Sequence, residues 1–390
     1  MKTIRTLGLL LTLAVSVLFI SLLFLGQYKL TSATFEDFIS QKNITSSVFI
    51  KDLENTSVDK EFSTPFYLAN TIAKAVESAN AFHRENKEWE KVIWTKPHSL
   101  AYQLVKSSGN GIIVENKLKF WFLSFGLAIL GVLLFMLPAI HLKGPPGIKN
   151  NHIYHSSATN RGWIAWIVFA FLILFYLVLY FRPSYMINWI YIVDPISESL
   201  SGNLASQWFL YGFLYCVIMT MMAVRMYIKY RHNNYQILRT TSVLFFQIVF
   251  AFLIPEILVR FEKPWYDFKN AFPLDYDFFF RWNLNELLEN GGFGLFILVW
   301  GVLLTLVIVP VMVYFFGKRW YCSWVCGCGG LAETLGDPYR QNSDKLLSTG
   351  FQQKYFVCDA VDEIAALYAA GSLNDDEKCY TVSWMKKLEV

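Results

Sequence analysis

The sequence predicts a mainly α fold: a polytopic helical membrane protein with about six transmembrane helices and a small external domain between the first and second spans. Three observations carry that reading. Of the 390 residues, 55% are hydrophobic and 17% aromatic while only 16% are charged, far from the balance of a soluble domain. The apolar residues gather into six runs, 7–25, 120–140, 163–180, 208–224, 242–259 and 293–316, each near the roughly 20 residues a spanning helix needs. The loops between the runs alternate in charge, which sets an orientation.

Residues 1–26 read as an N-terminal membrane anchor. The run 7–25 carries no charge and exceeds the roughly 7–15 residues of a signal-peptide core, and no small-residue cleavage pattern follows it. Residues 27–117 form the expected extracytoplasmic domain, polar and of mixed charge, with helical patterning around 66–91 and no cysteine. His83 and His98 stand alone in it and read as surface residues rather than ligands.

Residues 118–317 form the expected five-helix transmembrane core. Loop 141–161 carries Lys143, Lys149 and Arg161 without an acid, and loop 225–239 carries Arg225, Lys229, Arg231 and Arg239 without an acid. The segment 260–292 instead holds four basic and six acidic residues. Basic residues stay inside in short loops, so the expectation is a multi-pass protein of the cell inner (plasma) membrane with both termini cytoplasmic. The aromatic residues at 188–192 (NWIYI), and Trp265, Tyr266, Phe278, Phe279, Phe280 and Trp282, read as interfacial belts near the outer ends of spans. A GPPG turn stands at 144–147.

Glu256 lies near the outer end of the fifth span, after Pro255, with Gln247 earlier on the same run. An acid at membrane depth is costly and often functional, and a quinone headgroup is the ligand it would suit. The alternative is an ion pair with Arg260 at i+4. No pair of histidines sits mid-membrane, so a bis-histidine haem is unsupported: His141 ends a span, and His152, His155 and His232 lie in loops.

The net charge of +4 is small and dispersed, which gives no reason to expect nucleic acid as a partner; membrane lipid is the expected environment. Of six cysteines, Cys322, Cys326 and Cys328 fall together just after the last apolar run, in GKRWYCSWVCGCGGLAETLGDPYR at 317–340. This arrangement is unlike a secreted disulfide framework. Residues 318–345 are therefore the candidate site, a cytoplasm-facing cysteine motif. Thiolates are soft ligands for zinc or iron–sulfur clusters. On one helix Cys322 and Cys326 are i and i+4 and share a face. Gly327, Gly329 and Gly330 would let the backbone close around a cluster, with Gly330 in a turn before a helix at 331–335, and Lys318 and Arg319 would lower the thiol pKa values. Residue types alone leave iron–sulfur, structural zinc, thiol chemistry and unliganded cysteines open.

The segment GKRWYCSWVCGCGGLAETLGDPYRQ resembles the membrane-bound 4Fe-4S polyferredoxins of the NapH/NosR type. So do PGIKNNHIYHSSATNRGW, DPISESLSG, RMYIKYRHNNYQILRT, FAFLIPEILVR and PLDYDFFFRWNLN, and the resemblance covers roughly 146–343. It implies electron transfer between the quinone pool and a redox partner protein through a 4Fe-4S cluster. Cys322 and Cys326 match the family's Cys-x3-Cys motif, and Cys328 is the third expected ligand, standing close after it where the family more commonly has proline directly after the motif. Trp320, Tyr321 and Trp324 would pack at the cluster edge or simply at the interface. The protein is then an electron carrier or complex subunit rather than a stand-alone enzyme. The alternative is a non-redox membrane scaffold or assembly factor with a zinc or structural cysteine site. The family pattern continues with two more spans, a second Cys-x3-Cys-Pro and ferredoxin motifs. Residues 346–390 are an atypical cytoplasmic tail with neither, expected to follow a truncation or frame shift near Lys345; otherwise Cys358 or Cys379 would supply a fourth ligand.

Overall fold

A computed structural model describes residues 2–143, 162–270, 272, 275–317 and 320–337. The chain divides into two compact units, Met1–Pro145 with Ile164–Leu335, and Pro146–Trp163 with Gly336–Val390. The second consists almost wholly of residues outside those described. The expectations for Lys318, Arg319, Cys358, Cys379, His152, His155 and the GPPG turn also fall outside them.

The first unit is mainly α. Among the described residues five helices are long and apolar enough to cross a membrane: Lys2–Phe24, Lys117–Pro138, Gln207–Lys229, Asn234–Arg260 and Gly291–Phe316. A sixth crossing is counted if Trp166–Phe181 and Pro183–Ser201, bent by 115°, make one broken span. Helix Gly162–Phe181 turns Trp166, Ile167, Phe169, Leu172 and Leu174 outward, which is stable only where lipid rather than water meets them. The first span packs along helix Leu127–Lys143. Their backbones meet at two glycines: a Cβ on Gly8 would lie 2.5 Å from the Phe135 nitrogen, and one on Gly131 2.7 Å from the Thr12 hydroxyl. Small residues at a crossing let helices approach where no hydrophobic driving force exists.

Between these two spans lies a helical subdomain with a small antiparallel sheet. Strand Gln27–Lys29 is central, pairing Tyr28 with Phe62 on one side and Gln27 with Asn110 on the other. Helices Ser32–Lys42 and Ser47–Thr56 begin at N-caps, where Thr31 accepts from the Thr34 N–H and Ser46 from the Phe49 N–H. Helices Pro65–Glu85 and Pro97–Ser107 begin with proline at a position that has no N–H to satisfy. Leu68, Ile72, Val76, Ala79 and His83 recur at helical spacing on the buried face of the longest helix, against Tyr28, Phe35, Phe49, Leu100 and Leu104. His83 is thus not a surface residue. It is 1% exposed, its ring held by the Ser46 hydroxyl at 2.7 Å and Glu88 at 2.8 Å. His98 is half-buried beside Arg182 at 3.0 Å.

The helix Ile187–Ser201 overturns the reading of 188–192 as an interfacial belt. Trp189, Ile190, Tyr191 and Ile192 are all buried, because this helix closes over the end of the first span. Asn188 donates to the Leu22 and Leu25 carbonyls and Trp189 Nε1 to the Phe19 carbonyl at 2.6 Å, satisfying acceptors that a helix C-terminus leaves free. Asp194, with no exposed surface, takes Lys117 at 2.8 Å, Lys106 at 3.6 Å and the Ala205 N–H at 2.9 Å. The other aromatic belt divides. Trp265, Phe279, Phe280 and Trp282 are exposed, whereas Tyr266 and Phe278 are buried with Leu287 and Ile297.

Candidate iron–sulfur site

After the last span the chain does not continue outward. Gly317 adopts φ +86°, a left-handed conformation that glycine takes without strain, and the short helix Trp320–Trp324 follows. That helix ends with the Val325 and Cys326 N–H groups both donating to the Tyr321 carbonyl. Cys326 itself is extended (φ −70°, ψ 137°) and begins the helix Gly327–Thr334. The expectation that Cys322 and Cys326 share one helical face therefore fails: the helix breaks between them and they stand on two elements. Gly330 likewise lies inside the second helix rather than in a turn before it.

The glycines serve a different end, close approach. A Cβ on Gly329 would lie 1.6 Å from the Cys322 carbonyl oxygen, so the two short helices meet main chain to main chain. A Cβ on Gly327 would lie 2.7 Å from the Tyr215 hydroxyl and 2.8 Å from Gln247 Oε1. This cysteine corner is set against the middles of two spans. Tyr215 donates to the Gly327 carbonyl at 3.1 Å, and Gln247 Nε2, buried in a wide π-helical stretch of the fifth span, donates to the Val325 carbonyl at 2.5 Å. Ser242 donates to the Trp324 carbonyl at 3.0 Å, and Arg239 pairs with Glu333 at 2.5 Å. Trp324 lies edge-on to Tyr235, with centroids 5.5 Å apart. Cys326 and Cys328 therefore line one cavity with Tyr215 and Gln247 from the two spans, while Cys322 stays exposed.

A residue missed in the sequence completes the corner. Lys269, from the segment between the fifth and sixth spans, carries a carbonyl that accepts from the Tyr321 hydroxyl at 2.6 Å. The signal was present: Trp265, Tyr266, Phe268 and Phe272 make that segment apolar enough to enter the bundle despite its charges. The Cys328 thiol is held above its ordinary pKa, chiefly by the neighbouring Cys326, then by desolvation, its hydrogen bond with Cys326 and Cys322, while Lys269 acts in the opposite sense. Thiolates that repel one another are relieved when a cation or a cationic cluster core binds them.

Cys322 and Cys328 are exposed and Cys326 is half-buried. Among the described residues no three His, Cys, Asp or Glu side chains converge as a single-ion site would require. A cuboidal cluster asks for something else: thiolates spread around it, each on its own iron. Three soft donors on two short helices, with glycines where the backbone must come close, suit that demand.

One cavity of about 800 Å³ extends from this corner. Cys326 and Cys328 line it together with Tyr211, Tyr215, Lys269, Trp265 and Glu256. Glu256 does not pair with Arg260. Arg260 instead donates to the Ser199 carbonyl at 2.6 Å, and Glu256 faces the cavity together with Trp265.

Comparison with curated proteins and with solved structures finds no significant match. Residues 295–345, which take in most of the last span and the whole cysteine corner, match the family model of a 4Fe-4S binding domain. By that match the chain is a 4Fe-4S binding protein and its cofactor is a 4Fe-4S cluster.

Proposed function

We propose that this protein is a membrane-bound iron–sulfur electron carrier of the NapH/NosR type. It passes electrons between the quinone pool and a redox partner protein, in the inner membrane with its basic loops cytoplasmic, and Cys322, Cys326 and Cys328 are ligands of its 4Fe-4S cluster. The observation that carries the reading is the single cavity with Glu256 and Trp265 in its wall as well as Cys326 and Cys328. Quinol oxidation releases two protons with two electrons, so a site for it needs a proton acceptor and an electron acceptor within reach of one headgroup. Glu256 supplies a carboxylate in the cavity wall to take a proton from a headgroup hydroxyl. Tyr211 and Trp265 give the cavity aromatic walls suited to a flat ring. A 4Fe-4S cluster would supply one-electron transfer. One quinol would then be oxidised in two successive transfers of one electron and one proton, with the redox partner protein taking the electron and Glu256 releasing its proton between them.

Two measurements test this. The purified protein should contain iron and acid-labile sulfide and give an EPR signal on reduction; zinc without iron would overturn the electron-transfer reading in favour of a structural cysteine site. Glu256→Gln should slow quinol oxidation at least tenfold with the cluster intact, and an unchanged rate would remove quinol from the reading.

A further inference from the structure

The segment between the fifth and sixth spans is by charge an outer loop, yet its middle is held inside the bundle. The Phe268 carbonyl accepts from Trp300 Nε1 at 2.9 Å, the Lys269 carbonyl from the Tyr321 hydroxyl at 2.6 Å, and the Phe272 N–H donates to Thr305 at 3.3 Å. All three contacts hold main chain, so the path of the loop does not depend on which side chain stands at 269. What the loop delivers is a charge pair. Lys269 Nζ donates to Asp267 at 2.7 Å and to Asn270 at 3.1 Å, and the Lys269 and Asp267 side chains are 9% and 12% exposed. Removing two ions from water is expensive, and a neutral residue at 269 would leave those three contacts intact. Both charges line the cavity whose wall also holds Cys326 and Cys328.

Resting on the assignment of Cys322, Cys326 and Cys328 as cluster ligands, we propose that the Lys269–Asp267 pair sets the reduction potential of the cluster, with Lys269 raising it and Asp267 opposing it. The physical basis is charge. A reduced cluster carries one more negative charge than an oxidised one, and a fixed ammonium at a site shielded from water favours the reduced form. Burial also keeps the effect from being screened by salt.

The test is an EPR-monitored redox titration of the full chain in detergent, with iron and sulfide counted in every sample. Lys269→Met should keep its iron and show a reduced-to-oxidised ratio about tenfold lower at a given potential, a downward shift of about 59 mV for a one-electron couple. Lys269→Arg should titrate like the wild type, and Asp267→Asn should shift upward. Unchanged potentials in both Lys269→Met and Asp267→Asn would overturn the proposal. So would equal loss of iron from Lys269→Met and Lys269→Arg, which would make the lysine a structural element of the loop. A wild-type protein without iron would remove the proposal together with the function it rests on, and that result is visible before any variant is made.

Discussion

Gly329→Ala perturbs the cysteine corner at its tightest point. The new methyl carbon would sit 1.6 Å from the Cys322 carbonyl oxygen and 2.5 Å from its carbon, where contacts under 3.0 Å are essentially never tolerated. The obstacle is backbone and cannot rotate away, so the two short helices must part. Overpacking of this kind costs about 1–3 kcal/mol, and a main-chain clash belongs at the upper end. Alanine recovers about 0.8–1 kcal/mol of helix propensity over glycine, leaving a net loss of about 2 kcal/mol, or roughly 30-fold in the population of the intact corner. Gly330→Ala is the matched control. There the methyl meets side chains rather than main chain, Met219 Cε at 3.2 Å and the stiff, buried Val243 Cγ1 at 2.4 Å, so strain exceeds propensity but by less than at Gly329. The assay is iron and sulfide per chain, with the rate at which a chelator strips iron. Gly329→Ala should lose cluster at least tenfold faster than Gly330→Ala. Full iron content and equal stripping rates would refute the main-chain contact as a determinant of the site.

Three further outcomes follow from the same structure. Asp194→Asn keeps an acceptor for the Ala205 N–H but leaves Lys106 and Lys117 without their buried counter-charge. Because both lysines retain some exposure, the loss should be about 3 kcal/mol, at the low end for breaking a buried pair, and thermal unfolding in detergent reads it. In the 275–277 turn, desolvation and the adjoining Asp277 raise the Asp275 carboxyl from 3.8 to about 6. The folded turn then binds a proton more tightly than the unfolded chain. Its stability should fall as pH rises between about 3.8 and about 6, and Asp277→Asn should flatten that slope in amide exchange corrected for intrinsic rate. In metal-free protein, Cys326→Ser removes the main cause of the raised Cys328 pKa. Iodoacetamide should therefore label Cys328 faster at pH 8 in that variant, since the thiolate is the nucleophile.

The sequence by itself determined the solvent and the chemistry. Runs of apolar residues long enough to cross hydrocarbon mark spanning helices, so five of them were legible in the sequence. The fifth nevertheless begins at Asn234, well before its apolar run, and the third run crosses only if it joins the bent helix Pro183–Ser201. Three cysteines in seven residues named the kind of ligand. Local spacing could not show where the chain turns back. The helix break between Cys322 and Cys326, the seating of the corner against Tyr215 and Gln247, and the burial of NWIYI and His83 all depend on partners more than thirty residues away. Lys269 makes the same point most sharply. Charge counting assigns it to an outer loop, and only the carbonyl contacts of Phe268 and Lys269 with Trp300 and Tyr321 bring it to the thiols. A residue's charge is written in the sequence, but the field it exerts depends on distance and burial, and tertiary structure alone fixes those.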